Sequence, residues 1–223
     1  MTAIKAVCFD LDDTLYDYEQ YAEAGLRSAA DRLESRTGQR YHEELLSMYF
    51  EEGITEGTFD RLLDRHDLPA HLTGELVEAY HSSSEPLSPY EDTEAVLSKL
   101  SEAVPVGLLT DGRGGREKLR RLGLEEFFDA VLVTPTIGYS KQEPEVFDAI
   151  LSDLWVSAED AVYVGDDPRF DFRIPNEFGM TTVRLRRGRH ADREPQTADA
   201  VPDLEIDRLG ELGACLSTIT VKR

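Results

Sequence analysis

The chain has 223 residues, 40% of them hydrophobic, which is enough for a full core and excludes a disordered tail. Forty-five acidic against 24 basic residues give a formal net charge of −21, a field that repels nucleic acid and anionic membranes. No apolar run of about 18 residues is present to span a bilayer. The opening "MTAIKAVCFDL" lacks a cationic region, a sustained apolar core and a cleavage site, so a cytoplasmic location is expected. Cys8 and Cys215, the only two cysteines, make neither a disulfide framework nor a zinc site.

In chain order, "IKAVCFD" reads as a buried strand, and Asp10, Asp12 and Asp13 crowd its end. From about Tyr16 to Ser88 no strand pattern appears, and four helices are expected. The first has Asp17 as N-cap with Gln20 three residues on, then Ala22, Leu26, Ala29 and Leu33 on one stripe, with Gly38 as its stop. "EELLSMYF", "TFDRLLDRH" and "GELVEAYH" supply the others, and "SSSEPLSPYED" reads as a return linker. Such a block is too large for a crossover. It is expected to be a separate helical domain, residues 16–88, inserted into a core of residues 1–15 and 89–223.

The remainder alternates helix and strand. "DTEAVLSKLSE" precedes the strand "VPVGLLT", and "GREKLRRLGLEEFF" leads to "AVLVT". "PEVFDAILSDLW", with Val146, Phe147, Ile150, Leu151 and Leu154 on one face, precedes "AVYVGD", and "TTVRL" follows. Trp155 is expected to pack at that helix end. The five strands with crossover helices predict an α/β fold with a Rossmann-like parallel sheet.

Ligands of open parallel sheets bind outside the carboxyl ends of the strands. Those ends carry Asp10, Asp12 and Asp13; then Thr110, Asp111 and Gly112; then, after a loop, Lys141; then Asp166, Asp167 and, further on, Asp171. Carboxylates, a hydroxyl and a lysine from distant parts of the chain would converge there. Capping turns alone do not explain that convergence.

These stretches resemble the haloacid dehalogenase-like (HAD) hydrolase superfamily: "DLDDTL", "LLTDG", "GYSKQEPEVF" and "YVGDDPRFD" match its four motifs in order. The helical insertion between the first two is similar to its C1 cap. The resemblance implies a phosphatase with Asp10 as nucleophile and Asp12 as the general acid and base. It also implies Mg²⁺ held by the Asp10 carboxylate, the Asp12 carbonyl and Asp166, with Thr110, the neighbouring backbone at Asp111, and Lys141 binding the phosphoryl group. Phosphoryl transfer asks for this positioning and neutralisation of charge. Within the superfamily an acid at position 12 points to transfer to water or to a sugar. The expected substrate is a small phosphorylated metabolite. A phosphoglucomutase-like reaction is the enzymatic alternative, and a non-catalytic HAD-like binding protein is the other. Two departures stand out: Gln142 replaces the usual proline after Lys141, and Ile174-Pro175 replaces the usual Gly-Ala. Asp167 is expected to support the site rather than to ligate.

Other features read plainly. "GRGGRE" lacks the ending of a phosphate loop and should open a helix, with Arg113 within possible reach of a substrate. "RLRRGRHADR" reads as a solvated or internally paired loop, with contact to an anionic substrate or partner as the second reading. Tyr16, Tyr18 and Tyr21 would either line the cap interface or pack its first helix.

The acids are spread over the whole chain and only five lysines occur, a composition similar to that of proteins adapted to high internal salt. Our hypothesis is that molar salt, which shortens the screening length to about 3 Å, relieves the repulsion among these acids. The thermal unfolding midpoint, and activity with it, should therefore rise from low to molar KCl. A flat or falling midpoint would show an ordinary acidic protein.

Overall fold

The computed structural model describes residues 4–222, with side chains to Ser217. Among them, six parallel strands form one sheet in the order β3-β2-β1-β4-β5-β6. The strands are β1 (Ala6–Phe9), β2 (Val106–Thr110), β3 (Ala130–Val133), β4 (Ala161–Gly165), β5 (Thr181–Leu185) and β6 (Leu204–Ile206). In the central strand, Val7 pairs with Val106 on one side and Val162 on the other. Every residue of β1, β2 and β4 is buried, as expected of parallel strands covered on both faces.

The helices of this unit are α5 (Thr93–Ser101), α6 (Gly115–Leu122), α7 (Pro144–Asp153), α8 (Arg173–Phe178) and α9 (Leu212–Lys222). As expected, Gly114 (φ +70°) opens α6 from the "GRGGRE" turn, and Gly123 (φ +69°) closes it. Val146, Phe147, Ile150, Leu151 and Leu154 of the α7 region bury their shared face against Ala6, Cys8, Leu109, Tyr163 and Ile174. The Phe147 ring lies 5.4 Å from that of Tyr163 at 70°, an edge-to-face contact. Phe147→Ala should therefore cost about 3–5 kcal/mol in urea unfolding, from lost transfer energy plus the cavity. A cost below about 1 kcal/mol would mean that the site collapses around the void.

Two expectations are corrected. Trp155 does not pack at the end of α7. Its backbone takes a left-handed turn (φ +57°), and its side chain is 92% exposed while Leu154 beside it is buried. The strand β6 was not expected. It is three residues long, and only Ile206 is buried, so it carries no apolar run.

The chain divides into two compact units, residues up to Asp17 with those from Leu87 onward, and Tyr18–Pro86. The second contains α1 (Tyr18–Thr37), α2 (His42–Phe50), α3 (Thr58–Arg65) and α4 (Leu72–His81). Ala22, Leu26, Ala29 and Leu33 are all buried along α1, and Gly38 follows its end at φ +74°. Tyr21 meets Tyr80 edge to face at 5.7 Å, so it packs α1 against α4. No helix among the described residues is long and apolar enough to cross a membrane.

Candidate active site

The sheet delivers its chemistry at the carboxyl ends of β1, β2 and β4. Asp10 follows β1, with its N–H bonded to the Val164 carbonyl at 2.9 Å. A cavity of about 130 Å³ is lined by Asp10, Asp12, Thr110, Asp111, Lys141 and Asp166, the six residues to which the resemblance gives roles. Gly112, Asp167 and Asp171 also stand in the lining, whereas Asp13 lies outside it. Arg113 is exposed and lies outside that lining.

Lys141 is the hub. Its buried ammonium donates to Asp10 Oδ1 at 2.7 Å and to Asp171 Oδ1 at 2.5 Å. The other Asp171 oxygen accepts the backbone N–H groups of Asp166 (3.1 Å) and Asp167 (2.9 Å), so Asp171 ties the loop after β4 to the lysine. A Cβ on Gly165 would stand 2.5 Å from Asp171 Oδ2, which is why the strand ends in glycine. Asp111 Oδ1 accepts from the Thr134 hydroxyl at 2.5 Å and from the Lys141 N–H at 2.9 Å, fastening the loop that carries the lysine. Thr110 Oγ1 accepts the Gly112 N–H at 3.0 Å, which leaves its hydroxyl proton to donate.

The departures from the family pattern have local accommodations. Gln142 is exposed, and its carbonyl accepts from Arg173 at 3.1 Å; Pro144 instead stands at the first position of α7, where a missing N–H is harmless. Pro175 lies in the first turn of α8, before the first helical bond, from Asn176 N–H to the Phe172 carbonyl at 2.9 Å. Ile174 is buried in the core.

The basic run is paired with its own chain. Arg184 is fully buried and donates to Glu205 (3.1 Å) and to the carbonyls of His190 (2.9 Å), Ala191 (3.3 Å) and Arg193. Arg187 bonds Asp92 at 2.9 Å and lies 4.0 Å from the centre of the Tyr90 ring. The loop so pinned brings Arg189 to Asp13 (2.6 Å) and His190 Nδ1 to Asp166 Oδ2 (2.9 Å). Arg169 donates to His190 Nε2 at 2.9 Å, so the imidazole carries its proton on Nδ1 and donates it to Asp166. Burial holds the His190 pKa below its ordinary value, consistent with that neutral form. Arg189 and His190 were not singled out by the sequence, and neither was Lys118, which grips Asp12 from α6.

Charge is unevenly balanced. Asp12 faces Lys118, Asp13 faces Arg189, and Asp167 faces Arg169. Arg169 holds Asp167 below the usual carboxylate range although burial opposes it. Asp10 and Asp171 share the Lys141 ammonium, while Asp166, whose oxygen lies within 4.8 Å of theirs, accepts from the Thr14 hydroxyl at 3.2 Å and from the neutral His190. Burial first, and then neighbouring carboxylates, push Asp10 and Asp166 well above the usual range, with Lys141 opposing. Asp10 and Asp171 in turn hold Lys141 well above its ordinary pKa, against its burial. Full ionisation of the three carboxyls against one ammonium would leave two negative charges in a buried place, the state that the raised pKa values oppose and that a bound cation would permit. An all-oxygen donor set with that deficit fits a hard divalent cation.

An open parallel sheet with this carboxylate–lysine centre at its strand ends defines a Rossmann-like α/β enzyme. The chain belongs to the haloacid dehalogenase-like hydrolase family, whose profile matches residues 4–179. It is 40% identical over 222 residues to a glyceraldehyde 3-phosphate phosphatase of Methanopyrus kandleri, covering 94% of this chain and 95% of that one. It is 31% identical to a ribulose-1,5-bisphosphate 5-phosphatase of Halopiger xanaduensis, covering 93% and 97% of the two chains. Among solved structures, a 2-haloacid dehalogenase from Pseudomonas syringae matches with a TM-score of 0.68 at 26% identity, over 97% of this chain and 99% of that one.

Proposed function

We propose that the protein is a Mg²⁺-dependent phosphatase that hydrolyses a small phosphorylated metabolite through an aspartyl phosphate on Asp10. The observation that carries this reading is Asp10 held by Lys141 in a carboxylate cluster, with Asp12 two residues on in the same cavity. Relatives named as phosphatases support it.

Asp10, Asp166 and the Asp12 carbonyl would hold Mg²⁺, which when bound offsets the repulsion between the Asp10 carboxylate and an anionic phosphate. Asp10 attacks phosphorus while Asp12 protonates the departing oxygen; Asp12 then takes a proton from the water that releases phosphate. Thr110 and the backbone amides beside it orient the phosphoryl oxygens, and Lys141 neutralises Asp10 and phosphate together. Asp111 serves by holding the Lys141 loop. Tyr18–Pro86 acts as the cap that selects the substrate.

The names of the relatives make glyceraldehyde 3-phosphate the first substrate to try. The test is phosphate release from a panel of phosphorylated trioses, pentoses and hexoses with Mg²⁺ present. Release that EDTA stops is the expected result. Interconversion of hexose phosphates without net release would establish the mutase instead, and no turnover of any member would favour a non-catalytic binding protein.

A further inference from the structure

Asp12 can act as acid and base only if its carboxylate points into the cavity, yet its side chain is the more open partner of its ion pair, 18% exposed against 2% for Lys118. A partly open aspartate ordinarily samples several rotamers. Here both oxygens are held. Lys118 Nζ lies 2.7 Å from Asp12 Oδ1 and 2.8 Å from Oδ2, and the Tyr16 hydroxyl donates to Oδ1 at 2.6 Å. The turn after Asp13 (φ +61°), closed by Leu15 N–H to the Leu11 carbonyl at 2.9 Å, swings Tyr16 back over Asp12. Lys118 stands on the buried stripe of α6 with Gly115, Leu119 and Leu122, a position that an apolar residue would normally fill. Gly112 completes the fit, because a Cβ there would stand 2.6 Å from Asp12 Oδ2 and 3.0 Å from Lys118 Nζ.

We propose that Lys118 and Tyr16 are positioning residues that clamp the Asp12 carboxylate in the direction its proton transfers require. The inference rests on the phosphatase reading. A buried lysine kept only to neutralise a nearby acid would serve stability alone, and the two roles differ in how they depend on the leaving group. A poor leaving group needs the proton from Asp12, whereas a good one departs without it. The ratio kcat/KM reports the first, phosphoryl-accepting step, so it isolates that requirement.

The experiment compares wild type and Lys118→Met on an alkyl ester, glycerol phosphate, and on p-nitrophenyl phosphate. The clamp predicts a loss in kcat/KM of about 100-fold on the alkyl ester and less than about tenfold on the aryl ester, the scale of general-acid catalysis. Circular dichroism checks that the variant is folded. Should it not be, Tyr16→Phe, which removes a single hydrogen bond, must show the same preferential loss on the alkyl ester at smaller size. Equal losses on both esters in the folded variant would overturn the clamp. A wild-type protein that hydrolyses neither ester would overturn the function on which the clamp rests.

Discussion

Replacing Asp10 by asparagine is expected to cut turnover by roughly four orders of magnitude or more, the scale seen when a covalent nucleophile is removed. The fold should survive. In metal-free protein the Asp10 carboxyl is held well above its ordinary range by burial and by the carboxylates of Asp171, Asp166 and Asp12. A folded pKa above the unfolded one means that ionisation of Asp10 opposes folding once the pH passes the unfolded value. Asparagine keeps the shape and cannot ionise, and Lys141 retains Asp171 at 2.5 Å. Unfolding in EDTA at pH 7 should thus occur at the wild-type temperature or higher. Turnover near that of the wild type, or a midpoint lowered by many degrees, would contradict this account of the residue.

Lys141→Met should act on stability as strongly as on activity. It removes the ammonium that Asp10 and Asp171 share, leaving buried carboxylates uncompensated, a change that costs about 3–5 kcal/mol when one partner of a buried pair is lost. The penalty has a direction in pH. Asp10 already stands above the usual carboxylate range, chiefly through burial, and loses in Lys141 the ammonium that opposes this. The destabilisation therefore grows as pH rises past the unfolded carboxylate value and fades as acid protonates the carboxyl. Urea unfolding at pH 7 and pH 5 measures both the size and the trend. A variant within about 1 kcal/mol of the parent at pH 7 would show that the lysine is dispensable to the cluster.

Much of this was legible in the sequence because it rests on local pattern. The strands β1, β2 and β4 are continuous apolar runs, α7 shows its buried face at helical spacing, and the aspartates sit where the runs stop. What escaped rests on tertiary context. The strand β6 pairs through backbone groups, and its one buried side chain gives no periodicity. Trp155 was placed inside by its chemistry, but a left-handed backbone turn directs it outward. His190 lies 24 residues from the Asp166 it contacts, in a run whose composition suggests a solvated loop. Lys118 did leave a trace: it falls three residues after Gly115 and four before Leu122, on the stripe that those residues bury. A lysine on an apolar stripe asks for a buried acid, and Asp12 is that acid.

The departures from the family pattern teach a related lesson. Proline after Lys141 is missing, yet Pro144 supplies a helix start two residues beyond Gln142. Pro175 avoids harm only because α8 begins at Arg173, so its absent N–H falls among those that no helix uses. Neither adjustment can be read from residue identity without knowing where the helix begins.

The most direct test of the central claim is to trap the covalent intermediate. The protein would be mixed with a substrate carrying radiolabelled phosphate, quenched in acid within one turnover, and digested. The account predicts label on the peptide containing Asp10, labile to hydroxylamine as an acyl phosphate is, present with Mg²⁺ and absent with EDTA or in Asp10→Asn. Phosphate released in that turnover with no label on the protein, or with label on another residue, would contradict it.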